Sequence, residues 1–195
     1  MPRLPTGPYK TGRTGCFGCV RKTSADGGCG VHGYPCVHRG LDMFAESPDI
    51  FAPEIGLVVA VSDGKSAPFV GFGPGVILIK GISGYYHLLS HLNPRTITVR
   101  PNYPVLEGMK LAQFDPEHGH THYEVRKRAT GPSETNNVNP LWWLTTQQRM
   151  LVAAAAPGET STGRKVLVGA AVVGSVGVLS FLALRVAKYA ATSTV

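Results

Sequence analysis

The sequence predicts a mainly β fold: a compact antiparallel β domain with a single transmembrane helix on its C-terminal side. Three observations predict it. From about Val37, short runs rich in Val, Ile, Leu and Tyr recur between DGK, GPG and ISG turns, the texture of strands joined by tight connections. Residues 1–30 are instead rich in Gly, Pro, Thr and basic residues, which suit neither helices nor central strands. Residues 166–184, VLVGAAVVGSVGVLSFLAL, carry no charge and only serine as a polar interruption.

In chain order, residues 1–30 are expected to form an extended arm carrying the first cysteines. Its start, MPRLPTGPYKTGRTG, has proline and glycine where a secretory signal keeps its apolar region, so no export signal is expected. Residues 31–146 form the β domain, with strands expected at IGLVVAV (55–61), GVILIKG (75–81), YYHLLSHL (85–92), RTITV (95–99) and THYEVRK (121–127). The domain is expected to close at NPLWWL (139–144). Residues 147–165 read as a helix-prone stretch running into a polar linker.

Residues 166–184 would span about 28 Å as a helix, matching a bilayer core. A buried soluble helix is the alternative, but soluble helices keep a polar stripe, and this run has none. Arg164 and Lys165 precede it, and Arg185 and Lys188 follow it within a short polar tail, 185–195. Such side chains can snorkel to both interfaces, and their near balance leaves the anchor unoriented. The formal charge of +7 suits an anionic partner such as nucleic acid, lipid headgroups or a cell-wall polymer. No specific nucleic-acid partner is predicted, because nothing beyond charge points to one.

The seven histidines carry the chemistry. His38 lies four residues before Asp42, and three more histidines fall in HGHTH at 118–122. In a strand, His118, His120 and His122 would share one face and could converge on one ion. Together with His38 and Asp42 they offer the nitrogen and oxygen donors that zinc accepts, with room for an open coordination position.

HRGLD (38–42), DGK (63–65), GVILIKG (75–81), SHL (90–92) and HTHYEV (120–125) occur in the order and approximate spacing of the lysostaphin-like zinc endopeptidases, which cut peptide bonds in peptidoglycan. The chain resembles that family over roughly residues 30–146. VRPNYPVLEGMKLA (99–112) is similar to the family's repeated valine and glycine segment, with Asn102 in place of the first glycine, and NVNPLWWL resembles its closing element. The resemblance implies a zinc site in a groove, with His38, Asp42 and His122 as Zn2+ ligands. It also implies that His91 and His120 are the two catalytic histidines that do not bind metal. YYHL (85–88) offers His87 as an alternative to His91, but the distance to VRPN and the SHLNP continuation favour His91.

Two departures stand out. Leu89 occupies a position where the family often has tyrosine, so a substrate-facing hydroxyl is missing or comes from Tyr85 or Tyr86. The shorter QFDPEHG (113–119) replaces a loop rich in Gly, Ser and Thr, which bears on the groove wall. Glu124 is expected to face away from His122 and to be structural, and no HExxH helix supplies a glutamate base. His118 and His32 are expected to be solvated loop residues. The implied reaction is attack on a peptide carbonyl by zinc-activated water, with His91 and His120 as general base, general acid or hydrogen-bond donors.

Cys16, Cys19, Cys29 and Cys36 all precede His38. Disulfides and a structural zinc knuckle are equal readings, and free thiols a third; none is expected to be catalytic. Peptidoglycan lies outside the cytoplasmic membrane, so the expected setting is a bacteriophage particle. There the enzyme, held in a virion membrane by its C-terminal helix and alongside other virion proteins, would open the cell wall locally. A cellular tail-anchored wall hydrolase and a non-catalytic wall-binding or virion module are the alternatives.

Overall fold

The computed structural model describes residues 1–11, 15–21, 36–130 and 133–155. The predicted transmembrane run 166–184, the tail, Cys29 and His32 lie outside the described residues. Among those described, no helix is long and apolar enough to cross a membrane.

Among the described residues twelve strands occur in chain order: β1 (Tyr9–Lys10), β2 (Val20–Arg21), β3 (Cys36–Val37), β4 (Leu41–Ala45), β5 (Asp49–Phe51), β6 (Gly56–Ser62), β7 (Val76–Gly81), β8 (Tyr86–Ser90), β9 (Pro104–Val105), β10 (Lys110–Gln113), β11 (Thr121–Arg126) and β12 (Asn137–Val138). Eight of them build one sheet in the order β1-β4-β11-β8-β7-β6-β9, with β12 pairing the end of β11. Every pairing among the described strands is antiparallel. Of the expected strands, those at 55–61, 75–81, 85–92 and 121–127 correspond to β6, β7, β8 and β11 within a few residues.

Alternation along the central strands divides two apolar clusters between the sheet faces. Leu41, Met43, Ile77, Ile79, Leu89, Tyr123 and Val125 join Trp143 in the main core. Val76, Leu78 and Leu88 point the other way and pack with Phe69, Phe72 and Tyr86. All six residues of β11 are buried, so any polar side chain on it needs a partner within the protein.

Three expectations change. Residues 95–99 are not a strand: Pro94–Thr96 is a 3-10 turn, capped by the Asn93 side chain, which accepts from the Arg95 amide. Proline at its start presets φ for such a turn and has no amide to give to a ladder. The N-terminal residues do more than trail as an arm. The Phe51 amide donates to the Pro5 carbonyl and the Arg3 amide to the Pro53 carbonyl, and Tyr9 and Lys10 pair with Ala45 and Phe44. NPLWWL, expected to close the domain ahead of a helix-prone stretch, is itself the start of that helix, α2 (Pro140–Ala155; the single turn Ser133–Asn136 is α1). Asn139 caps it through the Leu141 amide at 2.9 Å, and Pro140 occupies the first helical position, where no amide is needed.

A buried polar chain ties the core together. The carboxylate of Glu54 accepts from the Ser83 hydroxyl at 2.5 Å and from His87 Nε2 at 2.6 Å, and His87 Nδ1 meets the Tyr123 hydroxyl at 2.9 Å. Glu54 and His87 are 2% and 0% exposed, so removing one partner strands the other without water. Replacing Glu54 with alanine is expected to cost about 3–5 kcal/mol of folding stability, as read from urea denaturation; His87→Ala should cost a similar amount, and the double variant clearly less than the sum of the two.

Candidate metal centre

Adjacent strands β4 and β11 place the first two site residues. Their register pairs His122 with Asp42, so the two side chains stand opposite each other on the same face. His38 lies on the segment leading into β4, which backbone bonds hold against the Cys16–Cys19 turn. The His38 amide donates to the Cys19 carbonyl and the Gly18 amide to the His38 carbonyl, while the Asp42 amide donates to the Gly15 carbonyl. Cys16 and Cys19 are joined as a disulfide, with Cα atoms 5.4 Å apart. Gly40, between His38 and Asp42, sits under the His122 ring. A Cβ there would lie 2.5 Å from His122 Cε1 and 2.7 Å from the Tyr123 carbonyl oxygen, so only glycine lets the ring approach.

The three donors converge. Asp42 Oδ1 is 2.8 Å from His122 Nδ1 and 3.2 Å from His38 Nε2, and the two ring nitrogens are 3.0 Å apart. Ligand atoms on a tetrahedral zinc, bonded at about 2.0–2.1 Å, are separated by about 3.3 Å. The outer ring nitrogens decide whether lone pairs face inward. His38 Nδ1–H donates to the Cys16 carbonyl at 3.1 Å and His122 Nε2–H to Glu124 Oε1 at 3.1 Å. With the outer nitrogens so occupied, the inner nitrogens are the ones that can turn lone pairs on a metal, and without one they share protons with the Asp42 carboxylate, so the donor set fits zinc.

Glu124 corrects an expectation. Residues 122 and 124 are two apart in a strand, which puts them on the same face, not on opposite ones. Its second oxygen accepts from Arg126 Nε at 2.6 Å, so Asp42, His122, Glu124 and Arg126 form one buried chain. Period-two counting along THYEVR would have found it. Burial disfavours the charged form of Glu124, but its bonds to His122 and Arg126 outweigh burial and hold the carboxyl below its ordinary range. Asp42 is likewise held well below the carboxylate range: burial opposes ionisation, and the hydrogen bonds from His122 and His38 overcome it.

The remaining histidines separate clearly. His91 follows β8 with φ at +58°; its ring lies 4.9 Å from that of His120 and 6.0 Å from that of His122. Burial pushes its pKa down to about 3, helped by the neighbouring imidazoles. His120 precedes β11 and stacks on Phe44 at 4.5 Å. Its Nδ1–H donates to the His118 carbonyl at 2.7 Å, and Nε2 lies 3.9 Å from Asp42 Oδ1; burial lowers its pKa as well. His118 is exposed on its loop, as expected, yet its ring stacks on His91. His87 belongs to the opposite face and the buried Glu54 chain. Leu89 points into the main core, away from the histidine cluster, while Tyr85 packs on that core and Tyr86 lies under Lys80 Nζ. Phe44 and Phe72 line the histidine cluster, and no sequence pattern singled them out.

No protein-family model matches the chain, and no curated protein matches it. Solved structures resemble it. The solution structure of lysostaphin aligns with a TM-score of 0.51 at 19% identity, covering 71% of this chain and 51% of lysostaphin. The catalytic domain of the antimicrobial peptidase lysostaphin from Staphylococcus simulans aligns over 70% of this chain and 92% of that domain (19% identity, TM-score 0.49). The catalytic domain of a prophage-encoded M23 protein from Enterococcus faecalis aligns over 71% and 94% (22% identity, TM-score 0.47). The aligned part of this chain thus matches about half the length of lysostaphin, and what the likeness establishes is the lysostaphin-type β fold.

Two outcomes follow from the geometry. In metal-free protein His122 should titrate near 9: burial alone would depress it, but its bonds to Asp42 and Glu124 raise it from 6.5. Because the folded value exceeds the unfolded one, its stabilisation is complete below pH 6.5 and is lost as pH rises through about 9. Urea denaturation of chelator-treated protein should show this decline, and saturating zinc should flatten it by taking the proton's place. Separately, Gly40→Ala should weaken zinc affinity by at least ~10-fold, the scale seen when a ligand's support is disturbed, measured by competition with a chromogenic chelator.

Proposed function

We propose that this protein is a zinc-dependent endopeptidase that cleaves peptide cross-links of bacterial peptidoglycan. The observation that carries the reading is the convergence of His38 Nε2, Asp42 Oδ1 and His122 Nδ1, all buried and all within hydrogen-bond distance of one another, on a fold shared with lysostaphin. A zinc ion held there supplies Lewis acidity, which polarises a carbonyl and acidifies water.

The protein's own residues manage the rest. His120 donates Nδ1–H to a backbone carbonyl, which leaves the Nε2 lone pair as a proton acceptor beside the donor cluster. His91, kept neutral by burial, has Nδ1 enclosed and Nε2 as the nitrogen that can reach a substrate. In that state it can donate a hydrogen bond to a developing oxyanion. Exposed Phe44, 41% accessible, offers an apolar wall for a peptide, and the net charge of +7 favours approach to an anionic cell wall.

The apolar run 166–184 supports anchoring in a bilayer, and we place the enzyme in a virion-linked membrane, used for local wall opening during phage infection. Immunoblotting of purified particles tests this: presence supports the setting, whereas absence from particles together with recovery in host membranes would favour a cellular hydrolase.

Purified protein should bind one zinc and release muropeptides from isolated peptidoglycan, with the cleaved bond read by mass spectrometry. Chelation should abolish release and zinc should restore it. His122→Ala, with its circular dichroism unchanged, should lose at least ~100-fold of activity, as expected when a group that acts as part of a catalytic unit is removed. A zinc-loaded wild-type protein that releases nothing would reduce the reading to a wall-binding module.

A further inference from the structure

A functional imidazole is generally oriented by a hydrogen bond from one ring nitrogen to a fixed oxygen. His38, His120 and His122 each have one, to the Cys16 carbonyl, the His118 carbonyl and Glu124. His91 differs. Its Nδ1 is buried with no hydrogen-bond partner among the described residues, and its backbone adopts a left-handed conformation, φ +58°, which non-glycine residues rarely take. Packing must therefore set its ring.

Three neighbours supply that packing. Gly73, at φ +80°, lies against it so closely that a Cβ would come within 2.5 Å of Nδ1. His120 meets it edge-on at 4.9 Å. His118 covers it face to face, centroids 4.5 Å apart and planes 15° from parallel. The His118 ring is itself fixed, because Nδ1–H donates to Asp115 Oδ2 at 2.8 Å.

Asp115 reaches both histidines. Its amide donates to the His91 carbonyl at 2.7 Å, and its own carbonyl accepts from the amides of His118 and Gly119, 3.1 and 2.9 Å. One residue of the 113–119 loop thus holds the backbone of one histidine and the ring of the other. We propose that Asp115 and His118 act as a positioning pair, in which the His118 ring, clamped by the Asp115 carboxylate, sets the orientation of the His91 imidazole beside His120 and the metal-binding residues. The loop that departs in sequence from the family pattern would then supply a support that this chain builds for itself.

The kinetic consequence rests on the endopeptidase reading above, whereas the ring geometry does not, and the test separates them. Full-length, zinc-loaded protein in detergent is compared with His118→Ala, His118→Phe and Asp115→Asn. The His91 ring is followed by long-range 1H–15N correlation, and kcat and KM are measured on peptidoglycan. His118→Ala should move and broaden the His91 ring signals and lower kcat by ~10-fold or more with KM changed less than ~2-fold, as misplacement of a catalytic group does. Asp115→Asn should act in the same direction, more weakly. His118→Phe, which keeps the stack but loses the clamp, should resemble Asp115→Asn, with ring signals and kcat between those of His118→Ala and wild type. Unchanged His91 signals in His118→Ala, or a His118→Phe protein as impaired as His118→Ala, would overturn the proposal. If the wild-type protein releases no muropeptides, the endopeptidase reading fails while the ring signals still decide the positioning pair.

Discussion

The register between β4 and β11 is the constraint on which the rest of the site depends. Pairing His122 with Asp42 turns both side chains to the same face and brings their donor atoms to 2.8 Å. A slip of one residue would place the partner on the opposite face. The register is secured from behind, where Leu41, Met43, Tyr123 and Val125 fill the main core. Burying those four on one face obliges Asp42, His122 and Glu124 to occupy the other. Apolar packing on one side of the sheet thus specifies a polar cluster on its reverse.

Such a cluster is costly to bury unless its charges are matched. Arg126 pairs with Glu124, Glu124 accepts from His122, and His122 faces Asp42 and His38, so positive and negative partners alternate through the chain. The cation that the inner donors call for completes the sequence of charges. The same burial favours the neutral forms of His91 and His120. Two imidazoles with unprotonated nitrogens therefore lie beside a cluster suited to hold a positive ion.

Much of this was legible from residues alone. Alternating apolar runs and turn signals indicated antiparallel β structure, and the resemblance carried by HRGLD and HTH implied the three residues, His38, Asp42 and His122, whose donor atoms the fold brings together. Other features were not legible, for identifiable reasons. Residues 95–99 look β-branched enough for a strand, but Pro94 and the Asn93 cap commit the chain to a 3-10 turn. Glu124 was misread by a parity slip that the strand geometry corrects. The partners of His91 were hidden because residues 91, 115 and 118 meet only through a loop and a left-handed backbone, for which no periodicity exists.

By itself, then, the sequence determined local preferences and the supply of donors: which segments pair as strands, where glycine must stand, and which imidazoles and carboxylates are available to a metal. Tertiary structure alone decided which nitrogen of each histidine faces inward, which histidine joins the buried Glu54 chain and which joins the cluster around Asp42. Those outcomes depend on hydrogen bonds and ring contacts between residues as much as 84 positions apart, and spacing along a chain carries no information about the direction in which a ring will turn.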